Sequence, residues 1–137
     1  MPYVLGVTSP LSQNAAAVLL KDGKIVAAAE EERFTRVKHA CNVLYPKNAV
    51  NYCLSHANIK LNDLDSVNIS WASASTIAKK HALLFAKKPY PILIPNLVYS
   101  LKTISKVNGF VKGIKVNYHE HHLSHLASAY YCSGFKD

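Results

Sequence analysis

The sequence predicts one α/β layered domain, and three observations carry that prediction. Short apolar runs bounded by turn residues alternate with stretches of helical periodicity. Asp22-Gly23 lies between two apolar runs, a strong tight-turn signal for a hairpin. The length and composition, 137 residues with 50% hydrophobic and 18% charged, suit one domain with its own core and are too apolar for a disordered chain.

The elements follow in chain order. Tyr3 to Thr8 is a short apolar run closed by Ser9-Pro10, a first strand. Asn14 to Leu20 and Ile25 to Ala29 flank the Asp22-Gly23 turn and pair as an antiparallel hairpin, their many alanines suggesting burial on both faces. Glu30 to His39 is the densest charge cluster, placed where a buried strand ends. A solvated surface loop and a ligand-binding strand end account for it equally well. Ala49, Val50, Cys53, Leu54 and Ala57 recur at helical spacing, so 47–57 is an amphipathic helix. Ser66 to Trp71 is a strand, 75–87 a helix with a lysine face, and Pro89, Pro91 and Pro95 bar its continuation. A helix over 96–108 ends at Asn108-Gly109, Val111 to Tyr118 is a strand, and a last helix through Ser124 to Tyr131 begins inside a histidine cluster. The expected order is β-β-β-α-β-α-α-β-α.

Charge and cysteine content narrow the function classes. Sixteen Lys and Arg stand against eight Asp and Glu, and no acidic residue separates Asp65 from Glu120, a stretch that holds eight lysines. A solvated lysine-rich surface is the simpler reading; a basic face for phosphorylated ligands is the sharper one. Nucleic-acid binding is disfavoured, because this stretch has no Arg. Three scattered cysteines, Cys41, Cys53 and Cys132, form neither a paired framework nor a CxxC motif. A reduced, cytoplasmic compartment is expected. The N-terminal residues form no signal peptide, and no apolar run reaches the roughly 18 residues of a membrane span.

Tyr118 to His125 holds four of the seven histidines. On a helix His121 and His125 share a face and can hold one divalent metal through ring nitrogens about 2 Å away. Glu120 precedes the pair rather than lying inside it, so the HExxH protease motif is absent. On spacing alone a metal pair and a polar helix start with hydrogen-bonded histidines are evenly matched.

Four segments occur in the order seen in the O-carbamoyltransferases, the family of the nodulation, tobramycin and cephalosporin carbamoyltransferases. They are Val4 to Val7, Ala15 to His39 with its Glu-Glu-Arg-Phe-Thr-Arg block, Tyr45 to Leu54, and His121 to Tyr131. The chain resembles that family over nearly its whole length, and only weakly over 72–117. The resemblance implies an actin-like, sugar-kinase-like (RNase H-like) half-domain with a mixed sheet, similar also to the tRNA threonylcarbamoyladenosine transferases. It implies that a further domain makes carbamoyladenylate from ATP and carbamoyl phosphate, and that the carbamoyl group passes to a hydroxyl of a sugar or antibiotic-like molecule in a biosynthetic reaction. It places His121 and His125 on a divalent metal, most often iron, and Lys38 beside the group derived from carbamoyl phosphate. Arg33 and Arg36 are possible supports without an assigned role.

Two departures qualify the resemblance. Where the family commonly carries His-Asp, this chain has Gln13-Asn14. An amide keeps the shape and some hydrogen bonding but takes no proton near neutral pH. At position 13 the chain is therefore expected to be impaired, or to recruit another base. The chain also stops at Asp137, before the strand expected to bring a metal-binding Asp, so missing C-terminal domains or a partner chain are expected to complete the site. A non-catalytic module binding a phosphorylated ligand or a protein is the alternative.

Overall fold

The computed structural model describes residues 2–8, 14–40, 43, 45–71, 73–87, 97–98, 101–102, 105 and 108–134. Five strands form one mixed sheet: β1 (Tyr3–Val7), β2 (Ala16–Lys21), β3 (Lys24–Glu30), β4 (Ser66–Ile69) and β5 (Lys115–Tyr118), in the order β3-β2-β1-β4-β5. The first three are antiparallel, while β1, β4 and β5 run parallel. The predicted hairpin is present. Asp22 and Gly23 both take positive φ, 51° and 76°, as a two-residue turn matched to the strand twist requires.

One face of the sheet is the core. Leu5 lies opposite Leu19 on one side and Val67 on the other, and all three are fully buried. The helix α2 (Lys47–His56) covers this face with Ala49, Val50, Cys53 and Leu54, the positions its periodicity predicts. The Cys53 thiol donates to the carbonyls of Ala17 and Ala27, and burial pushes its pKa up, away from thiolate chemistry. Cys53 and Cys132 are both free thiols, and Cys41 lies outside the described residues.

The expectation of burial on both faces is corrected. Val18 is half-buried and Ala28 exposed, because on that face no described element packs down as α2 does on the other. Gly6 sits in the middle of it, between Val18 and Asn68. A Cβ there would come to 3.0 Å from a methyl of Val18, so the floor is flat because position 6 has no side chain.

The other elements match expectation in type, with three shifts. A short helix α1 (Glu32–Thr35) interrupts the charged segment that reads as a loop. The strand expected from Val111 starts only at Lys115, after a turn at 111–113. The helix expected to end at Asn108-Gly109 runs on through Phe110, although most of 96–108 lies outside the described residues. Helices α3 (Ala74–Lys87) and α4 (His121–Cys132) and two short 3-10 turns, Lys38–Ala40 and Leu61–Asp63, are also present. Lys79, Lys80, Lys102, Lys112 and Lys115 are exposed, as a solvated basic surface requires. Among the described residues no helix is long and apolar enough to cross a membrane.

Candidate functional site

The parallel strands β1, β4 and β5 all point their carboxyl ends the same way, which is where such sheets present binding groups. The residues that follow them, Thr8, Ser70 and His119, line a groove of about 840 Å³ whose floor includes Gly6, Val18 and Asn68. A small polar ladder crosses this edge. Asn68 and Asn117 stand opposite one another, and the Asn68 Oδ1 accepts from Asn117 Nδ2 at 3.2 Å and from His119 Nε2 at 2.8 Å.

The histidine pair lies just beyond β5. Glu120 begins α4 as its cap, its carboxylate accepting from Leu123 N–H at 2.8 Å and from His122 Nδ1 at 3.1 Å. One turn of helix then brings His121 and His125 together, with their Nε2 atoms 3.1 Å apart. That separation suits two imidazoles turned toward one ion about 2 Å from each. The edge of Trp71 meets the His121 ring with centroids 5.7 Å apart, fixing it from the β4 side. His121 Nδ1 is buried and has no hydrogen-bond partner among the described residues, although a metal-bound imidazole usually has its second nitrogen held. The two rings therefore fit as half of a metal site. Among the described residues no group of three or more His, Cys, Asp and Glu is placed to complete it.

The Glu120 cap makes α4 acid-sensitive. The Leu123 amide bond, followed by the His122 contact, lowers the Glu120 pKa below the ordinary carboxylate value. A carboxylate depressed in the folded state contributes its stability above its unfolded pKa and loses it as pH falls through the folded one. Protection of the Leu123 amide from exchange is therefore expected to fall as pH drops below the ordinary carboxylate range, and Glu120→Ala to show the low protection at neutral pH already. Protection independent of both changes would show that the cap does not hold the histidine pair's helix.

The cationic turn is the third part. Arg36 ends α1 in the left-handed region, φ 57°, and its N–H donates to Glu32 O. His39 and Ala40 follow at φ 61° and 44°. Glu32, Arg33, Arg36, Val37 and Lys38 enclose a hollow of about 230 Å³. Arg33 is engaged by Glu30 at 3.0 Å and Glu32 at 3.7 Å, an exposed arrangement of small energetic worth. Lys38 is exposed, and among the described residues no carboxylate pairs with it.

Of the residues singled out from sequence, the structure brings His121 and His125 together and sets Lys38 in a separate cationic hollow. Gln13 lies outside the described residues, while Asn14 beside it is bonded to His39. Sequence reasoning missed Glu31, Asn68 and the Asn14–His39 pair.

A mixed sheet with an N-terminal antiparallel hairpin, opening at the ends of its parallel strands, defines an actin-like α/β domain. The chain is similar in structure to YeaZ from Pseudomonas aeruginosa, with a TM-score of 0.53 at 12% identity, covering 93% of this chain and 49% of that one. A family model described as carbamoyltransferase N-terminus matches residues 3–137, and the chain belongs to that family. It is 31% identical to the nodulation protein NolNO of Sinorhizobium fredii over 96% of its own length and 19% of that protein's. It is 32% identical to an uncharacterized protein of Synechocystis, sll1178, over 100% of this chain and 24% of that one. The chain thus spans about a fifth to a quarter of these relatives.

Proposed function

We propose that this chain is the N-terminal portion of an ATP-dependent O-carbamoyltransferase, acting on carbamoyladenylate formed from carbamoyl phosphate and delivering the carbamoyl group to a hydroxyl of a sugar-like molecule. The observation that carries the reading is the facing pair of His121 and His125 nitrogens, 3.1 Å apart, in a chain of the carbamoyltransferase N-terminal family. His121 and His125 would hold a divalent ion, iron being the first candidate, and such an ion supplies Lewis acidity toward a carbonyl or phosphoryl oxygen. Lys38, which no carboxylate pairs with among the described residues, offers its ammonium to the phosphate of the adenylate. The groove at the ends of β1, β4 and β5 gives the acceptor a mostly apolar floor with hydrogen-bonding groups on one side, which would orient a hydroxyl against the carbamoyl carbon.

The test is made on the full-length protein with ATP, labelled carbamoyl phosphate, iron(II) and a panel of aminoglycosides and amino-sugar oligomers. Label in an acceptor is the expected result. Lys38→Met is expected to leave pyrophosphate release unchanged and to slow AMP release from the adenylate about 10- to 100-fold, the worth of one charge-assisted hydrogen bond. The second reading, a binding module without turnover, is favoured by the amides at Gln13 and Asn14. Ligand binding without label transfer or pyrophosphate release would select it.

A further inference from the structure

We propose that His39 is the proton acceptor of the transfer step, with Asn14 holding its ring in the tautomer that leaves Nε2 free. The inference rests on the carbamoyl-transfer reading and adds a residue to it. His39 Nδ1 lies 2.8 Å from Asn14 Oδ1. An amide oxygen only accepts, so Nδ1 carries the proton and the lone pair is on Nε2. The main chain repeats the link, since Asn14 N–H donates to His39 O at 2.9 Å. The two residues, 25 apart in sequence, are thus joined by two hydrogen bonds.

Their backbone is strained to make that join. Asn14 has φ 69° and His39, within the short 3-10 turn Lys38–Ala40, has φ 61°, in the left-handed region that non-glycine residues seldom occupy, although Asn and His enter it more readily than most. Strain of this kind persists where the surroundings over-determine it, and it gathers at functional sites.

The location suits the role. His39 N–H donates to Glu32 Oε2 at 2.9 Å, and Glu32 lines the cationic hollow that holds Lys38. On the other side, Asn14 O accepts from the Thr8 hydroxyl at 3.1 Å, and Thr8 lines the groove. The His39–Asn14 pair is therefore hydrogen-bonded through its main chain to one residue that lines the hollow and one that lines the groove. Glu32 is the charged group bonded to it. Gln13, which takes no proton near neutral pH, is the next residue to Asn14. An imidazole at His39 supplies what that amide lacks.

The step balances as follows. The acceptor oxygen bonds to the carbamoyl carbon while its proton passes to His39 Nε2. The bond from that carbon to the adenylate phosphate oxygen breaks, and its electron pair leaves with AMP. The imidazolium then returns its proton to solvent.

The test uses the full-length protein with ¹⁵N-labelled histidine, His39 being assigned by the resonance lost in His39→Gln. A non-protonated Nε2 resonance in the neutral ring is expected, and a protonated Nε2 overturns the proposal. Rapid mixing with ATP and carbamoyl phosphate gives two further readouts, with water standing in for the acceptor hydroxyl. Pyrophosphate release reports activation and AMP release reports transfer. His39→Gln is expected to keep the pyrophosphate burst and to slow AMP release about 100-fold or more, the usual worth of a general base. Asn14→Asp, which still accepts from Nδ1–H, is expected to stay within a fewfold of wild type, whereas Asn14→Leu slows AMP release about tenfold; equal rates in these two overturn the role of Asn14 even should His39→Gln not fold. Unchanged AMP release in a folded His39→Gln overturns the role of His39 and leaves the transfer reading standing. A wild-type protein without a pyrophosphate burst overturns that reading itself.

Discussion

Replacing either His121 or His125 by alanine in the full-length protein is expected to lower its affinity for divalent iron by at least about 100-fold. The two Nε2 atoms lie 3.1 Å apart, and each ligand lost removes a bond that no neighbour in α4 can replace. His122 lies in the same turn and meets the His121 ring edge-on with centroids 5.7 Å apart, but its Nδ1 is engaged by the Glu120 cap. His122→Ala is therefore the control, and it is expected to leave metal affinity within about twofold. Removing a group that merely orients a ligand already costs about 10- to 100-fold, so the loss of a ligand itself should exceed that. The measurement is metal content after dialysis against a graded chelator. Equal iron in wild type and His121→Ala would mean that the pair is only a hydrogen-bonded helix start.

The second large effect is expected at Glu31, the one charged residue among the buried described positions, at 1% exposure. Helix α2 starts at Pro46, whose side chain cannot cap it. Glu31 does so from the end of β3. Its Oε1 accepts from Asn48 N and from Asn48 Nδ2, and its Oε2 accepts from Ala49 N at 2.8 Å. The helix macrodipole favours a negative charge there. Burial, followed by this same charge, raises the pKa of the nearby Tyr45 hydroxyl, so that Tyr45 stays neutral. Glu31→Ala leaves buried donors unpaired and is expected to cost about 3 kcal/mol. Read locally, this is a fall of about 100-fold in exchange protection of the Asn48 and Ala49 amides. Protection unchanged in Glu31→Ala would show that water caps α2 as well as the carboxylate does. Because Glu31 also accepts from Phe34 and Thr35 N–H through its carbonyl, loosening it is expected to disturb the turn carrying Lys38.

Much of the fold is legible in the sequence because its signals are local. The Asp22-Gly23 turn needs only two residues able to take positive φ, and these two do. The buried stripe of α2 follows from the 3.6-residue period, and Ala49, Val50, Cys53 and Leu54 occupy it. The pairing of His121 with His125 follows from their spacing alone, because residues four apart put two side chains on one helix face. The start of β5 is harder to set. Turn and strand compete over 111–114, and pairing with β4 begins only at Lys115 opposite Ser66.

Other features are illegible because they join residues that no period relates. Glu31 reads as one of three consecutive glutamates, and nothing local says that it alone is buried beneath α2 while Glu30 stands out in solvent. The open second face of the hairpin escapes a sequence reading because alanine suits a covered surface and an open one alike. Composition, the hairpin, α2 and the histidine pair were thus determined by the sequence itself, through turn chemistry and periodicity. The burial of Glu31, the joining of Asn14 to His39 and the groove at the ends of the parallel strands were decided only by tertiary structure. Each depends on strand order and on hydrogen bonds between distant segments, and these exist only once the sheet has assembled.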